Sequence, residues 1–326
     1  MSDHSSGSDR FRSVGLTLSD FITSNSEAHA ERAALVASGS SLTWREFDRR
    51  TRQVAQALKD AGLRMGDRVV IVMANGFAMA EAMFGVMRAG MIVVPLNTTV
   101  SDETLHLLLR DADPALVIAT PEHTSRLEAI ASSIRRIVAD GVVAGWPEFG
   151  EWRDAASAEP APSLDANEPC NIIYSSGTTG APKGIVHTHK GRVDWAYDLA
   201  LALRYRDGAR SLIATGLYSN ISWATLLSTI VRGGTIFIHS AFEPEAVLKT
   251  IAAEAITNLG MVPLQLQRMV DHPDFSTTDK SSLQGVMSVG SPLPAKLKEQ
   301  LLSDPPCGVL DAWGLTEGII TVLPPE

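Results

Sequence analysis

The sequence predicts an α/β protein made of two doubly wound sheet subdomains with flanking helices. Helical stretches alternate with short apolar runs along most of the chain, and a run such as 69–72 is β-branched throughout. Uninterrupted apolar runs are typical of strands buried on both faces of a parallel sheet. The 326 residues, 45% hydrophobic and 20% charged, are enough to bury a large core.

The first subdomain is expected at 14–165, after a disordered, polar lead-in at 1–13. One of its helices starts at a capping box, because Thr43 precedes a periodic apolar stretch and Glu46 follows three residues later. Ser101 is expected to cap a second helix. Strands are predicted at 34–36, 69–72, 92–94 and 116–119, and helices, counted from their caps, at 16–24, 43–61, 77–88 and 101–109.

The second subdomain is expected at 166–326. A stretch interrupted by prolines, 146–169, is interpreted as the surface connection that precedes it. Strands are predicted at 171–174, 185–187, 211–215, 235–238, 258–262, 286–289 and 309–313, and helices at 190–204, 222–231, 244–255, 264–271 and 295–302.

Composition narrows the function classes. The net charge of −9 argues against a nucleic-acid or anionic-membrane surface. No apolar run approaches the roughly 20 residues that span a bilayer, and the N-terminus lacks the apolar core of a signal peptide. Cys170 and Cys307 provide no disulfide framework, so both are interpreted as packing residues in a reducing cytoplasm. We therefore expect a cytoplasmic protein without a nucleic-acid or membrane partner.

One stretch, YSSGTTGAPKG at 174–184, combines three glycines, four serine or threonine hydroxyls and a lysine. Consecutive amides in a glycine-rich turn form an anion-binding nest, hydroxyls add donors, and Lys183 adds a charge. A flexible surface loop is the alternative, but the order of residues, closed by Pro182-Lys183-Gly184, favours a polyphosphate site. A Walker A loop is disfavoured, because a proline precedes the lysine and a strand pattern follows. The predicted phosphate-binding residues are Ser175, Ser176, Gly177, Thr178, Thr179, Gly180 and Lys183.

This stretch resembles the signature loop of the adenylate-forming superfamily, which includes acyl-CoA synthetases, luciferases and peptide-synthetase adenylation domains. The resemblance implies that the loop holds the phosphates of ATP and that the fold is that of the N-terminal domain of acyl-CoA synthetases. Weaker matches to landmarks of this superfamily occur across both halves of the chain, among them 42–47, 66–69 and 95–97.

A second segment, DAWGLTE at 311–317, is similar to the aromatic-Gly-x-Thr-Glu turn of the same superfamily. The resemblance implies that Thr316 contacts the α-phosphate and Glu317 helps to hold Mg²⁺. It also implies that Trp313 stacks beside adenine and that Asp311 accepts from its amino group. Mg²⁺ commonly takes one or two carboxylates together with substrate phosphates. The alternative is a helix N-cap at Thr316. Implied nucleotide-binding residues are Asp311, Ala312, Trp313, Gly314 and Thr316.

A third segment, Gly290-Ser291-Pro292, is similar to a segment that forms one wall of the adenine site in these enzymes, with serine in place of the usual alanine. The sequence indicates the residues of the acid-binding pocket less clearly. Tyr218, Asn220 and Trp223 are candidate substrate residues, and a core role for each is equally open. The aspartate that binds an amino acid's ammonium group in peptide-synthetase domains is not found near Asn220.

Two histidines flank the glycine-rich stretch. His187 and His189 are expected on one face of a strand, because side chains alternate along a strand. A metal pair would lack a third ligand in the sequence, so ordinary strand residues are favoured.

The resemblance implies a ligase that converts a carboxylic acid and ATP to an acyl-adenylate and then transfers the acyl group to coenzyme A. Lys183, Thr316 and Glu317 are the expected catalytic residues, with ATP and CoA as co-substrates and Mg²⁺ at Glu317. The chain ends at Glu326, before the ribose-binding motif and the lysine-bearing C-terminal domain of the superfamily. We therefore expect a truncated form that binds nucleotide with little turnover. A peptide-synthetase-type adenylation domain and a non-catalytic nucleotide-binding protein remain alternatives, and the oligomeric state, a homodimer included, is left open.

Overall fold

The computed structural model describes residues 15–128, 134–160, 162–175, 182–303, 308–318 and 320–323. The strands are β1 Ala33–Ala37, β2 Ser40–Thr43, β3 Arg68–Val72, β4 Ile92–Pro95, β5 Leu116–Ala119, β6 Arg135–Val138, β7 Pro169–Ser175, β8 Lys183–Thr188, β9 Arg210–Ile213, β10 Thr235–Ile238, β11 Asn258–Met261, β12 Gly285–Val289, β13 Gly308–Gly314 and β14 Ile320–Leu323. The helices are α1 Leu18–Ala28, α2 Trp44–Asp60, α3 Phe77–Arg88, α4 Asp102–Ala112, α5 Pro121–Glu128, α6 Phe149–Asp154, α7 His189–Ala202, α8 Asn220–Val231, α9 Pro244–Ala253, α10 Pro263–Val270 and α11 Ala295–Ser303. The predicted lead-in at 1–13 lies outside the described residues.

The strands form two mixed sheets. The six-stranded sheet has the order β6-β5-β3-β4-β7-β8, and the eight-stranded sheet has the order β14-β13-β12-β11-β9-β10-β1-β2. Only the pairs β7–β8, β1–β2 and β13–β14 are antiparallel among the described ladders; the others are parallel. The predicted α/β class with doubly wound sheets is confirmed.

Helices cover both faces of each sheet. The largest core lies between the sheets and takes side chains from both, such as Ile71 of β3 and Ile236 of β10. Val70 and Val72, which alternate with Ile71 along β3, face a separate core under α4 and α5. The outer face of the eight-stranded sheet packs under α9, α10 and α11. Burial on both faces is the physical reason for the uninterrupted apolar strands.

The helices between the sheets pack closely. The predicted capping box of α2 is confirmed: the Thr43 amide donates to Oε2 of Glu46 at 2.8 Å, and the Glu46 amide donates to the Thr43 hydroxyl at 3.2 Å. Helix α3 is buried from 78 to 88. Its Gly85 lies against α2, where an added Cβ would be 2.4 Å from Val54. Cys170 is buried and unpaired, and burial raises the pKa of its thiol to about 12, as suits a packing residue. Cys307 lies outside the described residues.

The division of the chain between the sheets differs from the predicted boundary near 165. Strands β7 and β8 complete the six-stranded sheet, whereas β1 and β2 extend the eight-stranded sheet beside β10. Strand pairing depends on backbone hydrogen bonds and on burial between residues that are distant in sequence. A local sequence pattern therefore does not determine which sheet a strand joins. No helix in the described part of the chain is long and apolar enough to cross a membrane.

The prediction that His187 and His189 share a strand face is wrong. Strand β8 ends at Thr188, whose hydroxyl accepts from the Gly191 amide at 3.0 Å and so caps α7. His189 is the first residue of that helix and is fully buried. Because the helix cap at Thr188 lies between the two histidines, His187 belongs to a strand and His189 to a helix.

Candidate nucleotide and acid site

The glycine-rich segment connects the antiparallel strands β7 and β8. Tyr174 pairs with Gly184 and Ser175 with Lys183, at the end of the strand pair that borders this segment in the sequence. Lys183 is exposed. The other predicted phosphate-binding residues, Ser176, Gly177, Thr178, Thr179 and Gly180, lie outside the described residues.

The second predicted segment, 311–317, comprises the end of β13 and most of the turn that leads to β14. These strands are antiparallel, and the Gly318 amide closes the turn by donating to the carbonyl of Leu315 at 3.0 Å. Thr316 and Glu317 therefore lie at the tip of a hairpin, and the alternative of a helix N-cap at Thr316 is wrong. The Glu317 side chain is exposed, so its carboxylate oxygens are accessible to a cation.

The two hairpins border one cavity of about 530 Å³. Ser175 and Pro182 line it from the β7–β8 hairpin, and Gly314 and Thr316 line it from the β13–β14 hairpin. Lys183 and Glu317 are the chain neighbours of these lining residues. Two segments more than a hundred residues apart thus meet at a single cleft.

Polar side chains join the two hairpins. Nε2 of His187, on β8, lies 2.7 Å from the carbonyl oxygen of Thr316, and Nδ2 of Asn220 lies 3.2 Å from the same oxygen. Arg192 of α7 contacts the remaining polar atom of each of these two side chains. Its Nη2 donates to Nδ1 of His187 at 3.3 Å and to Oδ1 of Asn220 at 3.0 Å. Burial and then the Arg192 charge lower the pKa of His187 to about 4, so the imidazole is neutral at pH 7.

A second cavity, of about 600 Å³, lies beside the first and contains the segments predicted to hold adenine. Strands β12 and β13 are parallel neighbours, with Ser288 opposite Asp311, so the residues that follow β12 reach the end of β13. Gly290 has a φ of 103°, which favours glycine, and borders both cavities. The lining consists of Gly290, Ser291, Pro292, Asp311, Ala312, Trp313, Gly314 and Thr321. The indole of Trp313 is 62% exposed and free to stack on a flat ligand.

The first cavity is predominantly apolar away from the hairpins. No charged residue occurs among its described lining residues. Tyr218 and Asn220, both predicted as substrate residues, line it. Large apolar or aromatic side chains line it from both sheets. Those from α7, α8, β12 and β14 include Trp195, Ile221, Met287, Val289 and Ile320, and those from α4 and β7 include Leu108, Ile173 and Tyr174. Such walls suit a ligand that is uncharged apart from the group facing the hairpins.

Trp223, the third predicted substrate residue, does not line the cavity. Its side chain is fully buried in the core between the sheets, and its Nε1 donates to the carbonyl of Leu217 at 2.8 Å. Asn220 and Ala224 lie one turn apart on α8, share a face of the helix and both line the cavity. Trp223 immediately precedes Ala224, and because adjacent helical residues do not face the same way, its side chain points into the core.

The residues missed by sequence reasoning are those that bridge elements. The place of Trp195 in a ligand cavity depends on packing of α7 against α8, which no local sequence pattern records. Arg192 and His187 carried no motif that could have identified their contact with Thr316. The described residues contain no group of three or more His, Cys, Asp or Glu side chains that could hold a metal. A Mg²⁺ ion at Glu317 would therefore depend on bound phosphates for further oxygen ligands.

Comparisons with known proteins identify the family of the chain. The family model "AMP-binding enzyme" matches residues 22–326. A feruloyl-CoA synthase from Amycolatopsis sp is 34% identical over 289 residues, which are 87% of this chain and 56% of that protein. The long-chain-fatty-acid–CoA ligase FadD13 from Mycobacterium tuberculosis is 29% identical over 264 residues, 78% of this chain and 51% of that protein.

Solved structures share the fold. The anthranilate CoA ligase AuaEII, in complex with anthranoyl-AMP, superposes with a TM-score of 0.88 at 25% identity, over 93% of this chain and 61% of that chain. The N-terminal domain of FACL13 from Mycobacterium tuberculosis also gives a TM-score of 0.88, at 24% identity, over 95% of this chain and 79% of that chain. The chain spans about half the length of the curated relatives it matches.

Proposed function

Because this chain belongs to the AMP-binding enzyme family, with acyl-CoA ligases among its relatives, we propose that it contributes the nucleotide and acid sites of an AMP-forming acid–CoA ligase. The observation that carries the proposal is the cavity bordered by both hairpins. This first cavity, called the acid cavity below, is largely apolar; Thr316 lines it, and Lys183 and Glu317 each follow one of its lining residues. The second cavity, called the adenine-side cavity below, shares Gly290 and Gly314 with it. A carboxylic acid and a triphosphate could therefore meet with their reacting groups adjacent.

The reaction has two steps. One oxygen of the substrate carboxylate bonds to the α-phosphorus of ATP as the bond to the β-phosphate breaks, and pyrophosphate leaves. The thiol of CoA then loses its proton, its sulfur bonds to the acyl carbon, and AMP leaves. The first step needs no general base, because a carboxylic acid is ionised at neutral pH.

The residues of the two hairpins contribute by position and charge. Lys183 and the amides of the glycine-rich segment would neutralise phosphate oxygens, and Thr316 would donate to the α-phosphate. A Mg²⁺ ion held by Glu317 and the phosphates would supply further positive charge. Catalysis by alignment and electrostatics fits a site in which no protein nucleophile is required.

For the acid, we propose an aromatic carboxylate related to ferulate. The cavity has the volume of a site for a small organic molecule, and its walls carry aromatic and aliphatic side chains without a charged partner. The relative with 34% identity is named a feruloyl-CoA synthase. An amino acid substrate is disfavoured, because its ammonium group would need a carboxylate and none lines the described part of the cavity.

Pyrophosphate exchange with a panel of acids tests the proposal on the protein to which this chain belongs. Ferulate and cinnamate are expected to support exchange, and phenylalanine and other amino acids are not. Exchange only with amino acids would indicate a peptide-synthetase-type domain, and exchange only with long fatty acids would overturn the aromatic assignment. ATP binding without exchange for any acid would indicate a non-catalytic nucleotide-binding protein.

A further inference from the structure

Arg192 is a buried cation in an unusual setting. Only 1% of it is exposed, and the ion pairs among the described residues do not include it. Its guanidinium lies over the rings of Trp195, 5.0 Å from the centroid, and Trp223, at 4.7 Å, while Nε donates to Oδ1 of Asn171 at 2.9 Å. Burying a charge is costly unless its surroundings compensate. An apolar side chain could fill this space without the cost of burying a charge. Filling space alone therefore does not explain an arginine here.

The donors of Arg192 determine the orientation of two neighbouring side chains. A guanidinium has no acceptor, so every polar atom it contacts must accept. Nδ1 of His187 therefore accepts from Arg192, and the ring proton must be on Nε2. Oδ1 of Asn220 likewise accepts, which turns the amide nitrogen of Asn220 away from Arg192.

Both oriented donors converge on one atom. Nε2–H of His187 and Nδ2–H of Asn220 donate to the carbonyl oxygen of Thr316, at 2.7 Å and 3.2 Å. A carbonyl oxygen has two lone pairs and can accept both bonds. The peptide group between Thr316 and Glu317 is thereby held from two directions, by β8 and by α8. Asn220 also lines the acid cavity, so the same network connects the acid site to the turn.

We propose that Arg192 is a positioning residue for adenylate formation. It orients His187 and Asn220 so that together they hold the carbonyl of Thr316 and fix the turn that presents Thr316 and Glu317 to the nucleotide phosphates. The inference rests on the function proposed above. Because Arg192 lines neither cavity, its effect must pass through the two side chains it orients.

Kinetics of four variants test the role. Arg192→Met keeps the length of the side chain but removes all donors, and we expect kcat for pyrophosphate exchange to fall on the order of 100-fold. KM for the acid and for ATP should change by less than about 5-fold, because no substrate-contacting group is removed. Arg192→Lys should restore little activity, since one ammonium cannot reproduce the planar fork. His187→Leu should resemble Arg192→Met, whereas His187→Gln, which retains a donor, should recover part of kcat.

A control separates positioning from loss of stability. Thr229→Val removes a buried hydroxyl that donates to the Thr225 carbonyl of α8, away from both cavities. It is expected to lower the melting temperature and leave kcat within about 2-fold. If Arg192→Met reduced kcat no more than Thr229→Val did at equal loss of stability, the positioning role would be wrong.

The imidazole of His187 supplies a readout independent of activity. In ¹⁵N-labelled protein, with His187→Gln used to identify the signal, the wild-type ring should be the Nε2–H tautomer at pH 7. Arg192→Met should yield a mixture of tautomers. An Nδ1–H or doubly protonated ring in the wild type would overturn the inference. If instead the wild type has the expected tautomer but forms no adenylate, the proposed function fails and the catalytic role of Arg192 fails with it. An active wild type with an unaffected Arg192→Met variant contradicts only the positioning role.

Discussion

Oδ1 of Asn75 accepts a hydrogen bond from the backbone amide of Leu217 at 2.8 Å and so ties the two sheets together. Asn75 follows β3 of the six-stranded sheet, and Leu217 follows β9 of the eight-stranded sheet. Nδ2 of the same side chain donates to the carbonyls of Thr215 at 2.9 Å and of His239 at 3.2 Å. The side-chain amide of Asn75 therefore holds the segment that directly precedes Tyr218, which lines the acid cavity.

Replacement of Asn75 by alanine should loosen this segment. Three bonds are lost and partly buried backbone groups are left without partners, so we expect the free energy of unfolding to fall by about 2 kcal/mol. KM for the acid should rise, because Tyr218 is no longer held. Urea unfolding and pyrophosphate exchange measure the two effects. Asn167→Ala is the control, since the Asn167 amide contacts only an exposed local turn. Wild-type stability in Asn75→Ala would show that the bridge is unimportant.

Removal of either charge at the proposed phosphate site should weaken binding of ATP in the presence of Mg²⁺. Lys183→Ala and Glu317→Ala each lose a charge-assisted contact, and an affinity loss of roughly 10-fold or more is expected by calorimetry. Lys190→Ala is a matched control, because Lys190 is exposed and pairs with Asp194 on α7. The site assignment fails if neither variant differs from the control.

A larger side chain at Ala224 should narrow the acid cavity. Ala224 is buried on α8 and lines that cavity, so Ala224→Leu fills part of the space required by the substrate. We expect KM for a ferulate-sized acid to rise roughly 10-fold or more while KM for benzoate changes less. Because Ala224 does not line the adenine-side cavity, KM for ATP is the internal control. Equal changes for both acids would argue against this location of the acid.

The pair Arg88–Asp48 should contribute far more to stability than a surface pair. Nη2 of Arg88, 1% exposed, lies 2.7 Å from Oδ1 of Asp48, whereas Arg45 and Glu31 pair at 2.8 Å with exposed side chains. Asp48→Ala leaves a buried guanidinium without its carboxylate and is expected to cost about 3–5 kcal/mol. Glu31→Ala should cost less than about 1 kcal/mol. Similar losses in the two variants, measured by denaturant unfolding, would contradict this reasoning.

Buried His189 should make the protein less stable at acidic pH. Burial lowers its pKa to about 4 from 6.5, so between these values the unfolded chain binds a proton that the folded chain does not. The free energy of unfolding should therefore fall as pH drops from 6.5 to 4, by at most about 1.4 kcal/mol per pH unit from this group. Below pH 4 its contribution is constant.

His189→Asn tests this by removing the titrating ring. Unfolding of wild type and variant is compared at several pH values, so that contributions from carboxylates cancel in the difference. The variant should lose part of the slope between pH 6.5 and 4, and the two proteins should have parallel profiles above pH 7. Identical slopes throughout would show that the pKa of His189 is the same in the folded and the unfolded chain, which contradicts the prediction.

The sequence by itself determined the fold class and most helices and strands, and it predicted the segments of the proposed site, because these depend on local properties. Apolar periodicity predicts helices and strands, a capping box such as Thr43 with Glu46 marks a helix start, and a glycine-rich stretch indicates a backbone that an anion can approach closely. The tertiary structure alone decided which strands share a sheet, that Trp223 faces the core while Ala224 faces the cavity, and that Arg192 reaches Thr316 through His187 and Asn220. These outcomes depend on hydrogen bonds and packing between residues far apart in sequence, and no local pattern records such contacts.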